Sequence, residues 1–103
     1  MGIFMVTHWY PPDKTAEVTK IILKQPKKLP YITKWRVFNT SGGLDGVKSY
    51  HLIYTERGKS EEAMTEMAKY LVPFYTIEGF RYQVEPLIGT SDSFSIFGMK
   101  WEK

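Results

Sequence analysis

The sequence predicts a single α+β domain in which two helices cover one face of an antiparallel sheet. Its length of 103 residues fits one domain. Four segments alternate in the way that β-strands do, and two segments between them repeat apolar residues at helical spacing. The content of 43% hydrophobic and 16% aromatic residues is sufficient for a hydrophobic core.

The first strand is predicted at residues 3–10, and both of its alternating faces are apolar or aromatic. One face carries Ile3, Met5, Thr7 and Trp9, and the other carries Phe4, Val6, His8 and Tyr10. Pro11 and Pro12 end this strand, because proline cannot continue a central ladder. A strand at residues 47–56 has the same two-sided character. Both strands are therefore predicted in the centre of the sheet.

Two amphipathic helices are predicted, one after each of these central strands. The first follows Asp13, a residue type that caps helices, and ends at Pro26, because the residue before a proline disfavours the helical region. The second begins at Ser60 and ends at Pro73. The apolar stripes of the two helices are Val18, Ile21 and Ile22, and Ala63, Met64, Met67, Ala68 and Leu71.

The two remaining strands have the pattern of sheet edges. The strand at residues 31–39 carries Lys34 and Arg36 on one face, and such charges block unwanted pairing at an edge. The strand at residues 80–85 has one polar face. The loop at residues 40–46 is rich in residues that tolerate positive φ, so it predicts a hairpin connection.

The resulting element order is the split βαβ, or ferredoxin-like, arrangement. It predicts a four-stranded antiparallel sheet in the order 4-1-3-2, with both helices on one face. Residues 1–88 are expected to form this ferredoxin-like domain. Residues 89–103 are expected to form a C-terminal strand or arm that packs on the sheet edge or on a partner subunit, because this segment contains several large apolar residues.

Composition excludes several classes of site and location. The chain has no cysteine, so it has no disulfide, thiolate zinc site or cysteine nucleophile. The net charge of +3 is too small and too dispersed to indicate a basic face for nucleic acid. No apolar run approaches the roughly 18 residues of a membrane span, and no basic segment precedes the first apolar run. We therefore expect a cytoplasmic protein that has no membrane partner.

The sheet face opposite the helices has no cover from the predicted elements. Its aromatic content favours a face formed by Phe4, Val6, His8, Tyr50, Leu52 and Tyr54, although the reverse assignment of faces stays open. An apolar face of this kind indicates an interaction surface. A second subunit, nucleotide bases or a small ligand are the three physically sensible covers.

The opening strand "IFMVTHWY", the element order and the aromatic C-terminal extension resemble the dimeric α/β-barrel superfamily over most of residues 3–87. The resemblance implies that two ferredoxin-like subunits pack sheet against sheet as a homodimer or a higher homo-oligomer. It also implies ligand pockets between the sheet and the helices, or within the barrel. Families of this type include small monooxygenases and isomerases.

The predicted function is therefore self-association together with binding, or turnover, of a small hydrophobic or aromatic molecule. His8 is the expected polar anchor and the candidate catalytic residue, because a histidine beside a phenol can position or deprotonate a phenolic or enolic substrate. The other expected ligand-binding residues are Tyr50, Tyr54, Phe4 and Tyr10. A histidine whose polar atoms are simply satisfied within the fold is the alternative for His8. His51 is expected on the opposite face.

Two other functions stay open. One is a purely structural, self-assembling protein. The other is single-stranded RNA binding, because RNA-recognition domains share this element order. Lys48 and Tyr50 fit the RNA-binding motif of the third strand, but Ser49, His51 and Leu52 do not, so nucleic acid is not the expected partner. No nucleotide-binding or hydrolase motif is present. With two histidines and no cysteine, we expect no metal site and no cofactor.

Overall fold

The structure is a computed structural model that describes residues 2–40, 46–89 and Gly98. Its elements in chain order are β1 (Ile3–Tyr10), α1 (Thr15–Lys24), β2 (Ile32–Thr40), β3 (Val47–Thr55), α2 (Ser60–Leu71) and β4 (Arg81–Leu87). Short 3-10 helices at Pro12–Lys14 and Val72–Thr76 precede α1 and follow α2. The predicted order of strands and helices is confirmed. Most of the predicted extension at residues 89–103 lies outside the described residues.

The four strands form one antiparallel sheet in the order β2-β3-β1-β4. Read from the other edge, this is the predicted order, with the two-sided strands β1 and β3 in the centre. The two helices complete the predicted α+β class. No helix in the described part of the chain is long and apolar enough to cross a membrane.

The helices end as predicted, but α1 does not begin at the predicted cap. Asp13 lies within the first 3-10 helix, and Lys14 occupies the N-cap position of α1 without a capping side-chain hydrogen bond. α1 ends where Gln25 takes an extended conformation, with φ −82° and ψ 153°, directly before Pro26. The Gln25 side-chain amide donates a hydrogen bond to the backbone carbonyl of Tyr70, which ties the end of α1 to α2.

The hydrophobic core lies between the sheet and the helices. Its most deeply buried apolar side chains, each no more than 1% exposed, are Phe4, Val6, Val18, Ile53, Ala63, Met67, Leu71 and Phe74. β1 and β3 therefore supply the sheet side of the core, while α1, α2 and the second 3-10 helix supply the other side. Burial of these side chains is the main stabilising term, at about 1.5–3 kcal/mol for each large residue.

The predicted assignment of sheet faces is wrong. The prediction grouped six residues on one uncovered face: Phe4, Val6, His8, Tyr50, Leu52 and Tyr54. The three from β1 face the helices, and the three from β3 lie on the opposite face. Directly paired residues share a face, and each even-numbered residue of β1 pairs with an odd-numbered residue of β3. Phe4 and Val6 thus enter the core together with His8, whereas the phenol rings of Tyr50 and Tyr54 lie on the face away from the helices.

Candidate functional site

Two histidines lie side by side beneath the helices. The rings of His8 on β1 and His51 on β3 have centroids 4.9 Å apart and an interplanar angle of 81°. His8 pairs with Ser49, and His51 pairs with Val6, so the two histidines are diagonal neighbours on one face. The prediction that they lie on opposite faces is therefore wrong.

A hydrogen bond joins His51 of this pair to Trp35 on the edge strand β2. The indole Nε1–H of Trp35 donates to Nδ1 of His51 at 2.9 Å. Because Nδ1 accepts this bond, the neutral ring of His51 carries its proton on Nε2. That Nε2 atom and Nδ1 of His8 are both buried, and neither has a hydrogen-bond partner among the described residues. An unpaired buried polar atom costs about 1–3 kcal/mol, so the pair is a destabilising feature within the core.

Aromatic rings surround His8 on the helix side. The ring centroids of Phe80, Tyr10 and Phe74 lie 5.2, 5.9 and 6.3 Å from that of His8. Phe74 and Phe80 also stack on each other, with centroids 5.0 Å apart. Packing against these rings and against His51 leaves His8 only 2% exposed.

Burial keeps both histidines neutral at pH 7. It lowers the pKa of His8 to about 3, and the neighbouring His51 contributes to this effect through charge repulsion. Burial also lowers the pKa of His51 to about 4. A general base works best when its pKa is near the working pH. Both imidazoles are consequently neutral and weak bases at pH 7, and Nδ1 of His51 accepts the hydrogen bond from Trp35.

A cleft of about 220 Å³ opens beside this pair, between α1 and β2. Its lining residues are Ile22, Pro26, Lys27, Trp35, Val37 and Tyr70. Trp35 forms one wall, where its ring meets that of Tyr70 with centroids 5.0 Å apart. The same indole donates to His51, so Trp35 stands between the cleft and the histidine pair. The lining is apolar apart from the amine of Lys27, the indole N–H and the phenol of Tyr70.

The predicted site residues do not form one site. His8, Phe4 and Tyr10 are buried on the helix side of the sheet, and Tyr50 and Tyr54 lie on the other side. A single ligand cannot contact both sets, because the sheet separates them. The predicted pairing of His8 with a phenol survives only with Tyr10, whose ring it meets edge-on.

The sheet face away from the helices, here called the open face, is a grid of four rows that cross the strands from β2 to β4. The first row is Thr40, Lys48, Trp9 and Arg81; the second is Phe38, Tyr50, Thr7 and Gln83; the third is Arg36, Leu52, Met5 and Glu85; the fourth is Lys34, Tyr54, Ile3 and Leu87. Eight of these sixteen side chains are aromatic or aliphatic. The helices cover none of them, because α1 and α2 pack on the other face.

Cations lie over the aromatic rings of the open face. The ammonium of Lys48 is 5.3 Å from the ring centroid of Trp9 and 5.0 Å from that of Tyr50. Arg81 also lies over the ring of Trp9. Two further cation–ring contacts are Lys34 with Tyr54 and Arg36 with Phe38. Each contact is worth about 0.5–1 kcal/mol at an exposed site.

Sequence reasoning missed Trp35 and Tyr70 as site residues. Trp35 alternates with Lys34 and Arg36, so it lies on the uncharged face of an edge strand. A large aromatic residue at that position was the sequence signal for a contact with the helices. Tyr70 stands three residues after Met67, on the apolar side of the second helix. Nothing in either local pattern indicated that the two rings meet.

No protein-family profile matches the sequence, and no curated protein matches it. Among solved structures, the chain is similar to the crystal structure of a DUF3240 family protein from Shewanella baltica OS155. The TM-score is 0.40 and the sequence identity is 12%, over 85% of this chain and 92% of that chain. A similarity at this level carries no conclusion about family, function or assembly. Among the described residues, no group of three or more His, Cys, Asp or Glu side chains is placed to hold a metal ion.

Proposed function

We propose that this protein binds a small hydrophobic or aromatic molecule in the cleft beside Trp35, and that it does so as a homo-oligomer of the dimeric α/β-barrel type. The observation that carries the proposal is the position of Trp35, which is at once a wall of the cleft and the donor to a buried histidine. A ligand that stacks on this indole changes the environment of its N–H. Binding would therefore alter the hydrogen bond between Trp35 and His51.

The chemistry of the cleft favours a flat apolar ligand with at most one acidic group. Its walls are Trp35, Tyr70 and aliphatic side chains, and offset or edge-on stacking of rings is worth about 0.5–1.5 kcal/mol beyond area burial. Among the lining residues that the structure describes, Lys27 is the only charged one. A carboxylate on the ligand would meet this ammonium at the rim, whereas a cation would be repelled.

The test is a titration of isotope-labelled protein with benzoate, phenol and indole, followed through the indole N–H resonance of Trp35. We expect at least one probe to shift this resonance in the wild-type protein. Val37→Glu places a charge in the cleft and should abolish the shift. Leu23→Glu is the matched control, because Leu23 is 69% exposed and does not line the cleft. If none of the probes moves the resonance at millimolar concentration, ligand binding at this cleft is wrong.

Self-association is supported by the open face. Its apolar and aromatic residues have no cover among the described elements, and a contiguous apolar patch of this kind marks an interaction site. Two copies packed face to face would bury both patches at once. Light scattering at micromolar concentration should give the mass of a dimer or of a larger assembly. A monomer mass across the concentration series would contradict this part of the proposal.

One observation favours a second function for the same face. Four cations lie among its aromatic rings, and single-stranded nucleic acid is bound by such combinations of stacking platforms and positive charge. Gel shifts with single-stranded RNA at two salt concentrations test this alternative. Salt-sensitive binding by a monomeric protein would favour it over self-association.

A further inference from the structure

The charges of the open face are arranged so that a second copy complements them in one orientation. The proposal below rests on the self-association proposed above. Glu85 on β4 is the only carboxylate among the sixteen grid positions, and Arg36 on β2 stands in the same row at the opposite edge. Three strand spacings separate them, about 14 Å, so they cannot pair within one copy. Within the described part of the chain, neither side chain forms an ion pair.

Two copies that pack face to face as a symmetric dimer can be related by a two-fold axis along the strands or across them. An axis along the strands keeps each row and exchanges β2 with β4 and β3 with β1. In that orientation Arg36 of one copy lies over Glu85 of the second copy. Symmetry repeats the contact, so both carboxylates gain a cation.

The same axis also brings apolar positions of the third and fourth rows together. Leu52 then lies over Met5 of the second copy, and Tyr54 lies over its Ile3. Lys48 lies over Trp9 of the second copy, a ring that already carries Lys48 and Arg81 of its own copy, so this row adds no complementary contact. No cation faces another cation in any of the four rows.

An axis across the strands gives a poorer match. It keeps each strand and exchanges the first row with the fourth and the second with the third. Glu85 would then lie over Gln83 of the second copy, and Arg36 would lie over its Phe38. The carboxylate would be covered without a cation, and burying an unpaired charge is costly.

We infer that the open face binds a second copy of this chain about a two-fold axis parallel to the strands, with two reciprocal contacts between Arg36 and Glu85. Packed sheets cross at about 30°, and the long side chains of arginine and glutamate span the offset that this twist produces at the edges. The contact sets the orientation, because the axis across the strands would cover the carboxylate of Glu85 without a cation.

The test is a charge exchange measured by analytical ultracentrifugation. Arg36→Glu alone and Glu85→Arg alone should each raise the dimer dissociation constant, by roughly tenfold or more for contacts of this kind. The matched double variant Arg36→Glu with Glu85→Arg restores both contacts and should recover most of the wild-type affinity. The mismatched double variant Lys34→Glu with Glu85→Arg has the same net charge and should not recover it. Circular dichroism checks that every variant is folded.

The outcomes separate this inference from the proposed self-association. A wild-type protein that stays monomeric, including one that binds single-stranded RNA through this face, overturns both. A wild-type dimer whose matched double variant is no tighter than its single variants overturns the strand-parallel axis and leaves self-association in place. Equal recovery by both double variants also overturns the axis, because net charge alone would then explain the affinity.

Discussion

The indole N–H of Trp35 donates a 2.9 Å hydrogen bond to Nδ1 of the buried His51. It joins a residue of the edge strand β2 to a residue of the central strand β3, and it fixes which ring nitrogen of His51 carries the proton. Trp35 is also packed against Tyr70 of α2. One side chain therefore connects the sheet edge, the helix layer and the histidine pair.

Removing this donor should destabilise the fold. Trp35→Phe leaves Nδ1 of His51 buried without a partner, so we expect the free energy of unfolding to fall by about 1–3 kcal/mol, as measured by urea denaturation. Tyr82→Phe is the control, because it removes an exposed hydrogen bond to the hydroxyl of Tyr75 and should cost less than about 0.5 kcal/mol. Equal effects of the two substitutions would show that the Trp35 bond has no special role.

Stability should fall as the pH drops below the ordinary pKa of histidine. The pKa of His8 is about 3 and that of His51 is about 4 in the folded protein, against 6.5 when unfolded. The unfolded chain therefore binds more protons between these values, and the free energy of unfolding is highest above pH 6.5 and declines as the pH falls. At pH 5 the loss is on the order of 2 kcal/mol for each histidine.

Urea denaturation at pH 7 and pH 5 measures this loss. The variant His8→Leu removes one of the two titrating groups, so its difference between the two pH values should be about half that of the wild-type protein. Carboxylates contribute equally to both proteins and cancel in the comparison. An unchanged difference would mean that His8 is not held neutral by burial.

Neighbouring residues of β3 should respond to truncation in different ways. Ile53 is 0% exposed in the core, whereas Leu52 lies on the open face. Ile53→Ala should lower the free energy of unfolding by about 2–5 kcal/mol, because it leaves a cavity. Leu52→Ala should instead weaken the association of two copies in sedimentation experiments, with a smaller effect on unfolding of the monomer. The opposite result would reverse the assignment of sheet faces.

The position directly before β3, Gly46, requires a glycine for two separate reasons. Gly46 has φ +81°, and a Cβ atom there would lie 2.6 Å from the carbonyl oxygen of Tyr10. Gly58 has φ +75°, and no atom of the described residues lies within 4 Å of such a Cβ. Gly58→Ala should cost about 1–2 kcal/mol from backbone strain alone. Gly46→Ala should cost clearly more in the same denaturation experiment, and equal costs would mean that the contact with Tyr10 relaxes freely.

The order of the elements was predictable because it depends on local patterns. The two-sided strands β1 and β3 revealed their central positions, and Pro26 revealed the end of α1. The sheet faces were not predictable in this way. When both faces of Ile3–Tyr10 are apolar, alternation separates two sets of side chains but does not say which set the helices cover.

The candidate site depended on contacts between distant parts of the chain. The register of β1 against β3 decides whether His8 and His51 share a face, and two strands that are apolar on both faces leave that register open. The meeting of Trp35 with Tyr70 likewise depends on how α2 crosses the sheet. Asp13 shows the converse case, in which a good local signal for a cap was overridden by a preceding 3-10 helix.

Trp35 and Arg36 are consecutive residues of β2, so one faces the cleft and the next faces the open face. A displacement of this edge strand moves both side chains together. If a ligand in the cleft changes the affinity between two copies, assembly must change the affinity for that ligand by the same factor. A ligand in the cleft and a second copy on the open face would then influence each other through the backbone between Trp35 and Arg36.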